Sequence, residues 1–474
     1  MEIFGILVSL IGLMGLAYLG YSVIFFAPLC AAIAVVLSSK LPLMPAYTEI
    51  FMSKMGEYVK AYFPVFMLGA VFGKIMEETG MAKAIASAII KYLGKERAIL
   101  SVVLSCAFLT YGGVSLFVVV FAVYPLAAIL FREAGIPKRL IPPSIALGAF
   151  TFTMDALPGT PQIQNIIPTQ FFNTTAYAAP ICGICGAILI FTLGMTWITR
   201  QKNNAEIKNE GYEGTEALLN EPKVSENEKT LPFWAAVLPL LSVLIVNLYL
   251  SNPFHFSWCF NWNSAMLEPF KEMKIALMTG HVEKAQPIWS LIIALFVGIG
   301  LASLIGVSRL PKGGFAKAIS AGTVGSLLAV INTASEYGYG SVVSSVEGFQ
   351  KIKDVLVSLQ HTVGLLVSEA ISVTTLSGVT GSASGGMTIV LGMLGNTYLE
   401  MAKAANIPPE MLHRVACMAA GGMDTLPHNG AVITLLAVCG LTHKQSYPDI
   451  FVITIIKTLT VFFIIGLHSA TGLS

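Results

Sequence analysis

The chain carries apolar runs longer than a soluble fold can bury. Residues 6–39, 233–250, 288–305 and 451–467 are such runs, each near or above the ~18 to 20 residues that cross the hydrocarbon core of a bilayer. Only 11% of the 474 residues are charged and 55% are hydrophobic, whereas a soluble domain carries about 25% charge. A soluble fold of this composition would lack the polar surface to cover itself. The runs predict an all-α polytopic membrane protein with roughly 10 to 12 crossings, the first run dividing into two short helices near Gly20. Only Glu2 precedes that run, with no basic leader, so it reads as a retained helix. A net charge of +2 gives no reason to invoke nucleic acid or an acidic partner. The seven cysteines are scattered through apolar stretches, and Cys182-x-x-Cys185 has no second pair to make a metal or redox site.

The sequence also repeats itself. Met154-Asp155-Ala156-Leu157-Pro158 returns as Met423-Asp424-Thr425-Leu426-Pro427, and Ala134-Gly135-Ile136-Pro137 as Ala405-Asn406-Ile407-Pro408. Glu78-Thr79-Gly80-Met81 resembles Glu336-Tyr337-Gly338-Tyr339, so both glutamates read as closing helices. Matches in one order imply two related halves, 1–199 and 231–474. The polar stretch 200–230 between them reads as a flexible linker outside the membrane. A second nonmembrane segment, 251–286, has Trp258, Trp262 and Trp289 in or beside it, residues suited to the membrane interface.

Charge suggests how the halves are oriented. Lys91, Lys95 and Arg97, and then Arg132, Lys138 and Arg139, make basic flanks on both sides of the apolar segment 98–131. Both flanks should face the cytoplasm. A segment with both ends on one side must dip in and return, so 98–131 reads as a re-entrant hairpin with its tip at Gly112 and Gly113. The matching flanks of the second hairpin, around 355–402, are nearly neutral, as expected of an inverted repeat. Lys95 and Arg132 are then expected inside, and Lys351 and Arg414 outside.

Each half contains two places where an apolar helix cannot continue. One is Gly-rich, 111–115 and 377–386; the other is Pro-rich, 155–161 and 424–430. Within a bilayer, broken helices are tolerated only where the freed amides and carbonyls face protein or a water-filled cavity. Half-helix amino termini there would offer N–H groups and partial positive charge to a carboxylate. The candidate anion site therefore comprises Gly112, Gly113, Ser115, Asp155, Thr160, Ser377, Thr380, Gly381, Ser382, Ser384, Thr425, His428 and Asn429. Ionisable groups at membrane depth are costly and usually functional. His428, Glu369, Asp155 and Asp424 are accordingly the candidate proton carriers, the two aspartates also being placed to cap the half-helices that follow them. No phosphate-binding loop is present, so an ion gradient rather than ATP is the expected energy source. A cation/proton antiporter would use the same breaks to bind sodium, but needs no hydroxyl-rich hairpins.

The stretch from Asp155 through Pro158, Gly159, Thr160 and Pro161 to Asn165, the Gly- and Ser-rich 377–386, and the two-half organisation resemble the gluconate permease (GntP) family of the ion transporter superfamily. The resemblance covers most of the chain outside 200–230 and 251–286. It implies a secondary transporter of the inner membrane, not an enzyme, that carries a hydroxy carboxylate such as gluconate, glycerate or 3-hydroxybutyrate with a proton, and less readily with sodium. It also implies a homodimer, with a scaffold of early helices from each half and a moving unit of hairpins and broken helices. No cofactor or metal is implied.

Overall fold

A computed structural model describes residues 2–18, 21–38, 40–212, 231–273, 282–310, 313–349, 351, 354, 363–427 and 429–474. The described residues form helices and connecting loops, without strands. The first half runs α1 (Glu2–Tyr18), α2 (Val23–Ser38), α3 (Leu43–Glu78, π-helical at Ala46–Met52), α4 (Met81–Leu93), α5 (Ala98–Tyr111), α6 (Leu116–Glu133), α7 (Ile141–Ala149), the single turn α8 (Phe152–Asp155), α9 (Ile163–Phe172) and α10 (Pro180–Ile207). The second runs α11 (Phe233–Ser251), α12 (Val282–Gly306), α13 (Gly314–Ser345), α14 (Leu365–Thr380), α15 (Ala383–Ala404), α16 (Pro409–Gly421), α17 (Gly430–Cys439) and α18 (His443–Thr471). Among the described residues, α3, α10, α11, α12, α13 and α18 are long and apolar enough to cross a membrane. Less than half of each one's most apolar stretch is buried in the protein, leaving side chains such as Ile188, Ile245, Leu304, Val324 and Phe463 exposed for lipid.

One order of elements occurs in both halves: a long helix, a helical hairpin, a short helix ending in a break, another short helix, and a long helix. The halves interlock rather than sit side by side. α3 packs along α13, α10 along α18, and α17 against α6 and α7 of the first half. At the centre α16 is wrapped by α9, α14, α15 and α18. Glycines set the closest approaches. A Cβ at Gly386 would overlap the backbone of Ser377, so the arms of the α14–α15 hairpin meet backbone to backbone. The α5–α6 hairpin turns at Gly113, whose φ of 94° disfavours any side chain.

The expectation for 200–230 is corrected in its first part. α10 continues to Ile207, and the chain then docks rather than leaving. Tyr212 is buried, its carbonyl accepts from the Lys138 amide at 3.2 Å, and Arg132 lies over its ring. Glu210 pairs with Arg139 at 2.7 Å, and Arg139 also reaches Asp449 of α18 at 2.9 Å. Residues 213–230 lie outside the described range. The 251–286 segment, described over 251–273 and 282–286, is held by aromatic contacts, with Trp262 donating to the Leu250 carbonyl at 2.8 Å and its ring lying tilted against that of Trp289.

Arg139 holds the Glu210 carboxyl below its ordinary range. A carboxyl lowered in the folded state stabilises fully above its unfolded pKa, and the stabilisation is lost as pH falls through the folded value. Glu210→Gln should therefore cost about 0.5 to 1 kcal/mol at neutral pH, a small figure because the pair is partly exposed. Thermal unfolding in detergent should show that difference at pH 7 and show it fading below about pH 4.

Candidate functional site

The first Pro break begins where α8 ends. Asp155 is fully buried and forms an ion pair with Lys457, which α18 delivers from the other half and whose ammonium also donates to the Phe150 carbonyl at 3.2 Å. Gly421 of α16 lies directly against this pair, and any Cβ there would overlap Asp155. The break frees backbone carbonyls, and Arg414 satisfies them. Its guanidinium, fully buried, donates to the Asp155 carbonyl at 2.7 Å, to the Ala178 carbonyl at 2.7 and 3.1 Å, and to Asn165 Oδ1 at 3.1 Å. Arg414 was expected outside the membrane as a loop residue. It is instead a staple at the centre of the protein, because α16 is enclosed by other helices and its polarity reports protein contacts rather than solvent.

Asn165 knots the same region. Its amide donates to the Thr160 and Ala176 carbonyls at 3.0 and 2.8 Å, while its oxygen also lies 3.3 Å from His413 Nε2. His413 Nδ1 lies 2.6 Å from the Thr174 hydroxyl. With Nε2–H donating to the amide oxygen, Nδ1 accepts from that hydroxyl, the arrangement of a neutral imidazole.

The second break is tied to the first and to the second hairpin. Gln164, at the start of α9, donates to Asp424 Oδ2 at 2.8 Å. The other Asp424 oxygen accepts from the Ala383 amide and from Asn429, both at 3.3 Å. Asp424 therefore holds the amino end of α15 rather than capping its own half-helix. Asn429 caps that half-helix, accepting from Ala431 N at 2.7 Å, and its amide donates to the Gly381 carbonyl at the hairpin tip at 3.0 Å. Ser382 caps α15 by accepting from Gly385 N at 3.1 Å.

Both breaks and the second hairpin tip thus converge, with Lys457 and Arg414 supplying positive charge near Asp155 and Asp424. Among the described residues, the first hairpin tip meets the first break and not the second. Gln162 donates to the Thr110 and Val114 carbonyls at 2.7 and 3.3 Å, Tyr111 to the Pro158 carbonyl at 2.8 Å, and Gly113 sits against Pro161. Gly112 packs under Leu240 of α11, and the Ser115 backbone lies against Gly73 of α3.

Most of the hydroxyls expected at the site are committed locally. Ser377 donates to the Ala383 carbonyl, Thr380 to the Leu376 carbonyl, and Thr425 shares a hydrogen bond of 2.7 Å with Thr454. Ser384 lies 3.4 Å from Ser382. Thr160 differs, because its buried hydroxyl has no hydrogen-bond partner among the described residues; the same holds for Asp155 Oδ1 and Gln164 Oε1. His428 lies outside the described residues. Glu369 is fully buried in α14, beside Tyr398 and Cys417 rather than in the aspartate cluster, and both its oxygens lack a hydrogen-bond partner among the described residues.

Sequence reasoning missed Lys457, Arg414, His413, Gln164 and Asn165. Lys457 carried a visible signal, a lone cation within the apolar run 451–467.

Known proteins fit this architecture. The family model described as GntP family permease matches residues 1–303. The chain is 48% identical, over the full length of both, to a Bacillus subtilis (strain 168) protein named "Uncharacterized transporter YxjC". In three dimensions it resembles the crystal structure of the Alcanivorax borkumensis YdaH transporter, reported to have an unusual topology, with a TM-score of 0.55 over 89% of each chain. At 13% identity that likeness is one of fold alone.

Proposed function

We propose that this chain, which belongs to the GntP permease family, is a proton-coupled symporter of a small hydroxy carboxylate of the gluconate or 3-hydroxybutyrate kind. It is a multi-pass inner-membrane transporter and not an enzyme; the substrate and the coupling proton are our reading. The observation that carries the reading is the buried convergence of both breaks and the second hairpin tip around Asp155, Lys457 and Asp424. The amino ends of α9, α15 and α17 open there, and helix amino termini suit a carboxylate. Thr160, Asp155 Oδ1 and Gln164 Oε1 keep hydrogen-bonding capacity for the anion and its hydroxyl. A proton is favoured over sodium because Asp155 is already paired with Lys457 while Asp424 is shared among Gln164, Ala383 and Asn429. The organisation we propose is an inverted repeat assembled as a homodimer.

Uptake into proteoliposomes, with gluconate and 3-hydroxybutyrate as probes, tests the reading. Accumulation should follow an imposed pH gradient and be indifferent to sodium; accumulation that requires sodium would sink the proton assignment. Thr160→Ala should weaken binding of the transported probe by about 1 to 3 kcal/mol, as for a lost hydrogen bond to a charged group. Titration calorimetry of purified protein measures that loss, and an unchanged affinity removes Thr160 from the site. Orientation is tested by single cysteines at Lys95, Arg132 and Lys351, all exposed. The first two should label from the cytoplasm and the third from outside, and labelling of Lys95 and Lys351 from one side excludes inversion.

A further inference from the structure

Glu336 was expected to close a helix. It lies instead well inside α13, which continues to Ser345, and it is 4% exposed. Its carboxyl presses on Gly385, in the first turn of α15, so closely that a Cβ there would overlap both oxygens. The Gly385 amide is already committed to Ser382 and the Gly386 amide to the Ser382 carbonyl. Glu336 Oε2 has no hydrogen-bond partner among the described residues. The rest of this seam is smooth, with Gly340 of α13 on Ile389 and Gly392 of α15 on Tyr337. From α3 the titratable group facing Glu336 is the Tyr58 phenol. On α13 itself Tyr337 faces Lys54 and Glu57, and α2 offers only Cys30, beside Tyr339. No cation pairs with Glu336 among the described residues.

We propose that Glu336 is a proton-binding site separate from the aspartate cluster, protonated while the second hairpin is seated against α13 and deprotonated when the hairpin leaves. An ionised carboxylate trapped in this seam would leave Oε2 buried with no partner, and no cation beside it, among the described residues, so seating favours the neutral form. By reciprocity, whatever draws the hairpin away releases the proton, and loss of the proton drives the hairpin away. Gly385 is the notch that lets the carboxyl fit. The inference deepens the transport reading by placing a proton on the surface between α13 and the second hairpin, and it rests on that reading, taken with a hairpin that moves during transport, for the motion alone.

The test uses full-length protein in lipid nanodiscs without any substrate, so that a wrong substrate assignment leaves it intact. Infrared difference spectra should contain a carbonyl band from a protonated carboxyl that Glu336→Gln removes, Glu369→Gln leaves, and Gly385→Ala shifts. The last variant perturbs the carboxyl without replacing it, which guards against a poorly folded Glu336→Gln. Spin labels at Val324→Cys and Glu400→Cys, in a Cys185→Ala background, report the separation of α13 from the hairpin. In the wild type the ratio of departed to seated populations should rise with pH by about tenfold per unit, the dependence expected for one proton. Glu336→Gln should abolish that dependence. Survival in Glu336→Gln of the band that Gly385→Ala shifts, or a wild-type separation that ignores pH, overturns the proposal.

Discussion

Lys457→Ala should abolish transport and destabilise the protein by about 3 to 5 kcal/mol, the usual cost of stranding one member of a buried ion pair. Asp155 would be left fully buried beside Asp424 with its nearest cation removed, and the Phe150 carbonyl would lose its donor. Loss of function in that variant alone would be uninformative, since a misfolded transporter is also inactive. The neutral pair Asp155→Asn with Lys457→Met separates the two effects. Replacing a buried ion pair by groups of similar shape is often neutral for stability, so the double variant should unfold within about 1 kcal/mol of wild type. On the proposed function transport should stay absent, because the charges assigned there to substrate and proton are gone. A double variant that is both stable and active would make the pair purely structural and move the substrate site away from the first break.

Why Lys457 escaped the sequence reading shows how far such reading extends. The apolar helices and the two breaks were legible because each is a local property: apolar runs set helix length, and Asp-x-Leu-Pro marks a place where a helix must stop. The hairpin turns were legible for the same reason, glycine at 112–113 and at 381 being where the chain bends. The partners across the site were not. Asp155 finds Lys457 and Asp424 finds Gln164 only when α18 and α9 cross between the halves, and no spacing in the sequence states that crossing. Flank charge and the repeat match misled at two residues for a related reason. Arg414 was counted as part of a nearly neutral flank outside the membrane, yet α16 is wrapped in protein and Arg414 spends its charge on broken backbone. Glu336 looked terminal because its segment matches Glu78-Thr79-Gly80-Met81, where the helix does end, but Gly338 and Gly340 admit Phe51 and Ile389 as neighbours without ending α13.

The remaining large effect concerns energy coupling. Glu369→Gln should eliminate accumulation driven by a pH gradient while sparing exchange of substrate for substrate. Glu369 is fully buried on α14, and neither oxygen has a hydrogen-bond partner among the described residues. The neighbouring Tyr398 phenol donates to Ser372 at 3.0 Å and so is not available to a carboxylate. An ionised group in that setting carries a desolvation penalty with no compensating bond among the described residues; on the proton-coupled reading proposed above, the carboxyl is neutral in this state and gives up its proton where the path opens to water. Glutamine copies the protonated shape but cannot release the proton. Net accumulation needs that release on every cycle, whereas exchange needs only the loaded carrier to cross in both directions. Proteoliposomes with a radiolabelled hydroxy acid measure both: uptake against an imposed pH gradient should fall to the equilibrated level, and counterflow should persist. If accumulation is unaltered, the coupling belongs elsewhere, with Asp155, paired to Lys457, and Asp424 next in line for the same test.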